Sequence, residues 1–222
     1  MSHAVPALKI DIVSDVSCPW CAIGLSGLLQ AIAQLQGEVD VTLHCQPFEL
    51  NPKMGPGGQD IGEHLTEKYG SSPEQQAQIR DMIRARGAAV GFEFNADGRG
   101  RIYNTFDAHR LLCWAGYHEP AQQVALKMAL LRACHRDRLA MDDHAVLLAA
   151  VAEAGLDVEA ARAVLASGEL AEEVREQEAF YAAHGISAVP AVIINDRHLI
   201  SGGQPPEVYA GALRELASQQ AS

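Results

Sequence analysis

The chain has 222 residues, of which 48% are hydrophobic and 20% charged, and its formal net charge is −11 at pH 7. These proportions are typical of a globular protein with a well-filled core. The acidic balance argues against a nucleic-acid partner, because phosphate contacts need clustered Lys and Arg. No run of four basic residues is present to attract an anionic membrane.

The first 14 residues carry charges at Lys9 and Asp11 within their apolar stretch, unlike the unbroken apolar segment of a signal peptide. No segment approaches the roughly 18 apolar residues of a membrane span. The five cysteines are an odd number for a secreted disulfide scaffold. Taking Met1 as the native start, we expect a cytoplasmic protein whose thiols are mostly reduced.

The first predicted elements are a strand, a helix and a second strand. Residues 8–13 and 39–45 alternate in polarity and are rich in β-branched side chains, which predicts strands. Between them, residues 18–36 place Leu and Ile at helical spacing. Strand, helix and strand within about 40 residues form a βαβ unit with a right-handed crossover.

A helical block follows from about residue 60. Ser72, Pro73 and Gln75 have the spacing of a capping box with Pro at the first helical position, which predicts a helix start. No strand pattern is visible in this block. Its predicted helices cover residues 73–90, 105–117, 120–136, 142–154, 157–166 and 170–184.

Strand character returns at residues 191–195 and 198–201, and Pro205 and Pro206 start a last helix that ends near residue 219. The order βαβ, helical block, ββα is best explained by an insertion into a single α/β domain. We therefore predict two domains. The first is discontinuous, over 1–59 and 185–222, and the second is a helical insertion over 60–184.

The candidate reactive residues are Cys18 and Cys21 of the sequence Cys-Pro-Trp-Cys, at the junction of the first strand and the first helix. This context marks a redox dithiol. With Ser17 as the predicted N-cap, the first turn would favour a thiolate at Cys18, since unpaired N–H groups and the helix dipole point at it. Cys21, three residues on, could then resolve a mixed disulfide. Pro19 suits the first turn.

The expected acidity of Cys18 is moderate. A helix dipole contributes about 0.3–2 kcal/mol, which takes a thiol pKa from about 8.5 to about 7–8. Trp20 adds no charge to the dipeptide between the cysteines. Asp15 would raise the pKa of Cys18 if it were close, so we expect its carboxylate to lie away from the thiol. We therefore predict a moderate reduction potential.

A second marker is Val189-Pro190, just before the third strand. Proline is tolerated at the first position of a strand, so one interpretation is that Pro190 only marks the start of the strand. The other is a cis peptide bond facing Cys18, which would leave the Val189 backbone free to pair with an extended substrate. On that interpretation Val189, Pro190 and Trp20 bind substrate.

These features resemble the DsbA-like branch of the thioredoxin superfamily, and further motifs resemble its FrnE type. The motifs are D-V-S-C-P-W-C-A-I-G at 15–24, P-F-E-L-N-P at 47–52, N-T-F-D-A-H-R-L at 104–111, G-L-D at 155–157, G-I-S-A-V-P-A at 185–191 and I-S-G-G-Q at 200–204.

The resemblance implies an α/β thioredoxin fold with a large all-helical insertion, and dithiol–disulfide exchange on protein or peptide substrates. It implies Cys18 as nucleophile, Cys21 as its partner and Pro190 as a cis proline, with no cofactor beyond the redox-active pair. Some FrnE-type proteins carry a further C-terminal cysteine pair, whereas this chain has no cysteine after Cys134.

Other candidate residues have plainer interpretations. His109 could line the cleft that faces Cys18, although a structural role is the simpler explanation for a helical histidine. Cys45, Cys113 and Cys134 fall in apolar patterns and are expected to be buried thiols. A zinc site would need two more ligands near the cysteine pair, and no second Cys-x-x-Cys exists, so we predict no metal.

Two alternative functions remain open. Glutathione-dependent isomerases and transferases that act on small aromatic molecules have a similar layout, but they typically carry Ser where this chain has Cys18. Glutathione could still be a co-substrate here. A chaperone-like module using an exposed Trp20 is the non-enzymatic alternative.

Overall fold

The computed structural model describes residues 5–220. In chain order the strands are β1 (Ala7–Ser14), β2 (Asp40–Pro47), β3 (Gln59–Asp60), β4 (Arg101–Ile102), β5 (Ala191–Ile194) and β6 (His198–Ser201). The helices are α1 (Pro19–Gln34), α2 (Ile61–Tyr69), α3 (Pro73–Ala89), α4 (Phe106–His118), α5 (Pro120–His135), α6 (His144–Glu153), α7 (Val158–Ala166), α8 (Ala171–Ala183) and α9 (Pro206–Gln220).

The main sheet has the strand order β2-β1-β5-β6. β1 runs parallel to β2 and antiparallel to β5, and β5 is antiparallel to β6. In this register Ile12 lies between Cys45 and Val192. Because β1 is central and covered on both faces, its C-terminal half is buried throughout, and the segment that follows it is held inside the protein.

Two large hydrophobic cores lie around this sheet, with a smaller cluster that includes Val13 and Ala191. The sheet core unites β1 and β5 with α1 and α9 and includes Leu28 and Leu213. The helical core is built by α4 to α8 and includes Leu126 and Leu130. Helix α5 contributes to both, because its Leu131 belongs to the sheet core. One face of the helical block is therefore packed directly against the sheet.

The predicted fold class is confirmed: a βαβ unit and a ββα unit form a mixed sheet, with helices between them. The helices predicted from periodicity are present, with ends shifted by a few residues. At the start of α3 the capping box is present, since the Gln75 N–H donates to Ser72 Oγ at 3.3 Å and Gln75 Oε1 accepts from the Ser72 N–H at 2.9 Å.

The description of the block as all-helical was wrong in one detail. β3 and β4 form a separate ladder of two residue pairs, which is too short to leave an alternating pattern in the sequence. Helix α2 was not predicted either, because its only buried residue is His64 and no apolar stripe marks it. The division into two domains, with boundaries after residues 59 and 184, stays a prediction. Residues 1–4 and 221–222 of the first predicted domain lie outside the described residues.

Within residues 5–220, no helix is long and apolar enough to cross a membrane. The same residues contain no group of three or more His, Cys, Asp or Glu placed to hold a metal ion.

Candidate active site

Cys18 and Cys21 lie at the N-terminus of α1, and both are free thiols. The predicted cap was wrong by one residue: Cys18 itself is the N-cap, in an extended conformation, and Pro19 begins the helix. Ser17 does not cap the helix because its N–H and hydroxyl both donate to the Asp15 carboxylate, at 3.1 and 3.2 Å. The Cys21 N–H donates to the Cys18 carbonyl at 3.1 Å, and the N–H groups of Trp20 and Cys21 both act to lower the pKa of the Cys18 thiol.

The two thiols have opposite acid–base character. A hydrogen bond from Cys21 lowers the pKa of Cys18, with help from the backbone N–H groups of Cys21 and Trp20, while burial and the Asp15 charge oppose this. Burial raises the pKa of Cys21 well above its usual value, and the neighbouring Cys18 raises it further. The arrangement thus favours a thiolate at Cys18, which is 4% exposed, and a protonated thiol at the fully buried Cys21.

Val189 and Pro190 lie beside Cys18. The Cys18 sulfur is 3.7 Å from the Val189 carbonyl oxygen, and the Val189–Pro190 peptide bond is cis. The Pro190 carbonyl accepts a hydrogen bond from the Gly202 N–H at 2.8 Å. The structure thus brings four of the predicted site residues together, namely Cys18, Cys21, Val189 and Pro190. Trp20 is half-buried against the sheet core.

The Gly202–Gly203 turn packs against the back of the motif. A Cβ on Gly203 would lie 2.9 Å from the Trp20 carbonyl oxygen, and a Cβ on Gly24 would lie 2.9 Å from Pro190 Cγ. Real Cβ atoms essentially never approach so closely, so a side chain at either position would force its neighbour to shift. The backbone of α1 is thus in direct contact with the turn after β6 through Gly203 and with the loop before β5 through Gly24.

His109 does not line a cleft. It is 1% exposed and lies in the interior, with Nε2 3.5 Å from Asp15 Oδ1. The reason is that α4 is covered on all sides over residues 108–115. The neighbouring Arg110 is also structural, because its guanidinium donates to the carbonyls of Glu169 and Ser167.

Asp15 is at the centre of a buried polar network. Its carboxylate accepts hydrogen bonds from the Leu50 N–H at 2.8 Å and the Thr105 hydroxyl at 2.9 Å, in addition to both donors of Ser17. Burial alone would raise the pKa of Asp15, but His109 and the backbone donors hold it far below its usual range. The expectation that the Asp15 carboxylate lies away from the Cys18 thiol was wrong, since its charge acts to raise the pKa of Cys18.

Sequence reasoning missed three residues of the helical block that hold the segment before Cys18. Lys127 donates to the Ser14 carbonyl at 3.1 Å, and His135 Nε2 donates to the Val16 carbonyl at 2.9 Å. Arg99 donates to the Ser17 carbonyl. The signal that could have found two of them is the presence of Lys127 and His135 on an otherwise apolar stretch of α5.

The other three cysteines are placed differently. Cys45, Cys113 and Cys134 are buried in strands or helix interiors, and burial raises the pKa of each, to about 11 for Cys45. Thiols of this kind are poor nucleophiles at neutral pH. Among the five cysteines, Cys18 is thus the one best suited to act as a nucleophile.

Comparison with known proteins places the chain among disulfide-exchange proteins. The family described as DSBA-like thioredoxin domain matches residues 9–214. The crystal structure of a probable DsbA oxidoreductase from Streptomyces coelicolor is similar with a TM-score of 0.86 and 34% identity, over 96% of this chain and 91% of that chain. No curated protein sequence matches the chain.

Two more distant structures share the fold. A 2-hydroxychromene-2-carboxylate isomerase is similar with a TM-score of 0.70 and 18% identity, over 96% of this chain and 98% of that one. The cytosolic disulfide reductase DsbM from Pseudomonas aeruginosa, in a structure with glutathione, has a TM-score of 0.63 and 21% identity, over the same shares of the two chains.

Proposed function

The chain belongs to the DSBA-like thioredoxin domain family, and on that premise we propose that it is a protein disulfide oxidoreductase or isomerase in which Cys18 is the nucleophile and Cys21 the resolving thiol. One observation carries the assignment of roles: Cys18 is the N-cap of α1 with its sulfur 3.7 Å from the Val189 carbonyl oxygen, whereas Cys21 is fully buried behind it. In keeping with this placement, the pKa of Cys18 is lowered and that of Cys21 is raised. The proposal concerns the reactive residues, the substrates and the direction of exchange.

The proposed reaction starts with attack of the Cys18 thiolate on a substrate disulfide. A mixed disulfide forms and the first substrate sulfur leaves with the electron pair of the broken bond. Cys21 then attacks Cys18, so that the Cys18–Cys21 disulfide forms and the second substrate thiol is released. Oxidation of a substrate dithiol follows the same steps in reverse. Val189, beside Cys18, would pair with an extended substrate chain through its backbone, and Trp20 and Pro190 would contact the substrate on either side.

Insulin reduction tests this proposal. We expect Cys18→Ser to lose the activity and Cys21→Ser to accumulate mixed disulfide with substrate. Cys113→Ser, which removes a buried thiol outside the motif, serves as the matched control and should keep wild-type activity. Activity that survives Cys18→Ser would overturn the proposal. Chaperone activity that persists in the Cys18→Ser/Cys21→Ser double variant, without any exchange activity, would favour the non-enzymatic alternative.

We also propose glutathione as the small thiol that exchanges with the pair. Burial, Lys68 and Arg99 hold the pKa of His64 below its usual value, while Glu67 opposes them, so both cations act on His64. Arg99 also binds the Ser17 carbonyl. In a chain of net charge −11 this is a local site of attraction for an anionic thiol. Equilibration of the Cys18–Cys21 pair in glutathione buffers tests the proposal. Conjugation of glutathione to a small aromatic acceptor without thiol oxidation would instead favour the transferase alternative.

The FrnE type and a cytoplasmic location complete the proposal. The FrnE type rests on the motifs around Cys18, Asn104 and Gly185. A reduction potential near the cytosolic glutathione poise would support a reductase or isomerase in that compartment, whereas a much more oxidising value would indicate an oxidase.

A further inference from the structure

Lys127 is a fully buried lysine of α5 whose Nζ has one hydrogen-bond partner in the described part of the chain, the Ser14 carbonyl at 3.1 Å. It lies where the two cores meet, since Leu126 and Leu130 belong to the helical core and Leu131 to the sheet core. Among residues 5–220, no carboxylate oxygen lies within 4.0 Å of its Nζ. Burying an ammonium group with one neutral partner costs stability, so its presence calls for a chemical reason.

The Ser14–Asp15 peptide unit connects Lys127 to Cys21. Its carbonyl accepts the hydrogen bond from Lys127, and the next carbonyl, that of Asp15, accepts from the Cys18 N–H at 3.2 Å, so this peptide unit lies directly against the motif. The Asp15 N–H acts to lower the pKa of the buried Cys21 thiol. Hydrogen bonds that share a peptide unit polarise one another, so a cation on the carbonyl makes the N–H a stronger donor. Burial and Cys18 raise the pKa of Cys21, and Lys127 and the Asp15 N–H act in the opposite direction.

Resting on the exchange reaction proposed above, we propose that Lys127 is a positioning residue for the second half of that reaction, in which it stabilises the Cys21 thiolate through the Ser14–Asp15 peptide. In this step the Cys21 sulfur forms a bond with Cys18, and the bond between Cys18 and the substrate sulfur breaks. The substrate sulfur leaves with the electron pair and takes up the proton that Cys21 has lost. Atoms and charge balance without any further reactant.

The first half of the reaction does not need Lys127. Cys18 is stabilised as a thiolate by Cys21 and by the N-terminus of α1. A lysine that acts on the buried thiol alone should therefore affect resolution and leave the initial attack unchanged. Each pKa unit added to Cys21 reduces its thiolate fraction about tenfold and raises its nucleophilicity about threefold, so resolution slows about threefold per unit.

Stopped-flow reaction of the reduced protein with dithiobis(nitrobenzoate) separates the two halves, because each half releases one coloured thionitrobenzoate. We expect Lys127→Met and Lys127→Gln to slow the second release by about threefold or more and to leave the rate of the first release unchanged. Lys127→Gln retains a hydrogen-bond donor and carries the test if Lys127→Met does not fold.

Gln123→Met is the matched control. Gln123 lies one turn earlier on α5, is similarly buried, and bonds the backbone of Cys45 and Leu112 without carrying charge. It should lower stability and leave both releases at wild-type rates. The inference would be overturned if both Lys127 variants kept the wild-type rate of the second release. It would also be overturned if Gln123→Met slowed the second release as much as the Lys127 variants do. Failure of the proposed function looks different: the wild type would then show no first release that depends on Cys18.

Discussion

The motif is held from two sides by different kinds of contact. In front of it, the leading segment (residues 14–17) is bound by polar side chains of the helical block, among them Lys127, Thr105 and Arg99. Behind it, the glycine turn (Gly202–Gly203) touches the α1 backbone directly and contributes no charge. The two regions therefore contribute differently. The helical block supplies charged and polar groups around the thiols, and the turn beside the sheet supplies the close backbone packing that positions them.

The largest effect on stability is expected from removing the Asp15 carboxylate, which lies at the centre of the leading segment. Asp15→Ala leaves the Thr105 hydroxyl, the Leu50 N–H and both donors of Ser17 without their acceptor, and it removes the carboxylate 3.5 Å from His109 Nε2. We expect a loss of about 3–5 kcal/mol in the free energy of unfolding, measured by urea denaturation.

The exposed Asp40 offers the control, since Asp40→Ala should change the free energy of unfolding by no more than about 0.5 kcal/mol. Should Asp15→Ala cost as little as Asp40→Ala, the leading segment would not depend on its polar contacts, and the contrast with the glycine turn would disappear.

A smaller effect is expected at the glycine turn. Gly203→Ala forces its Cβ against the Trp20 carbonyl oxygen and should lower the free energy of unfolding by about 1–3 kcal/mol. Gly211→Ala is the control, because nothing lies within 4 Å of its added Cβ on the exposed side of α9. That change should raise stability by about 0.5–1 kcal/mol. Equal responses of the two variants would show that close packing does not govern the turn.

The smallest effect is expected in the pH dependence of stability. The folded state holds the pKa of Asp15 below its unfolded value of about 4, so its contribution to stability is complete above that pH and is lost as the pH falls. Glu49 and Glu178 act in the opposite sense because burial raises their pKa values. The wild type should therefore lose more stability on acidification than Asp15→Asn does, in parallel urea titrations between neutral and acid pH. Coincident pH profiles would contradict a buried Asp15 anion.

The sequence by itself determined the features that depend on neighbouring residues. The β1–α1–β2 order, the place of Cys18 and Cys21 at a helix start, and the capping box at Ser72 follow from local spacing and propensity. Helix α2 escaped prediction because a short polar helix that buries only His64 leaves no periodic apolar pattern.

Only the tertiary structure decided which charges surround the thiols. Asp15 and Thr105 are 90 residues apart, and Lys127 and Ser14 are 113 residues apart. Whether a lysine on α5 meets solvent or a strand carbonyl depends on which face of α5 packs against the sheet, and no local pattern records that choice. Burial then sets the sign of each pKa shift, so the chemistry of Cys21 was decided by packing over distances that sequence spacing does not reach.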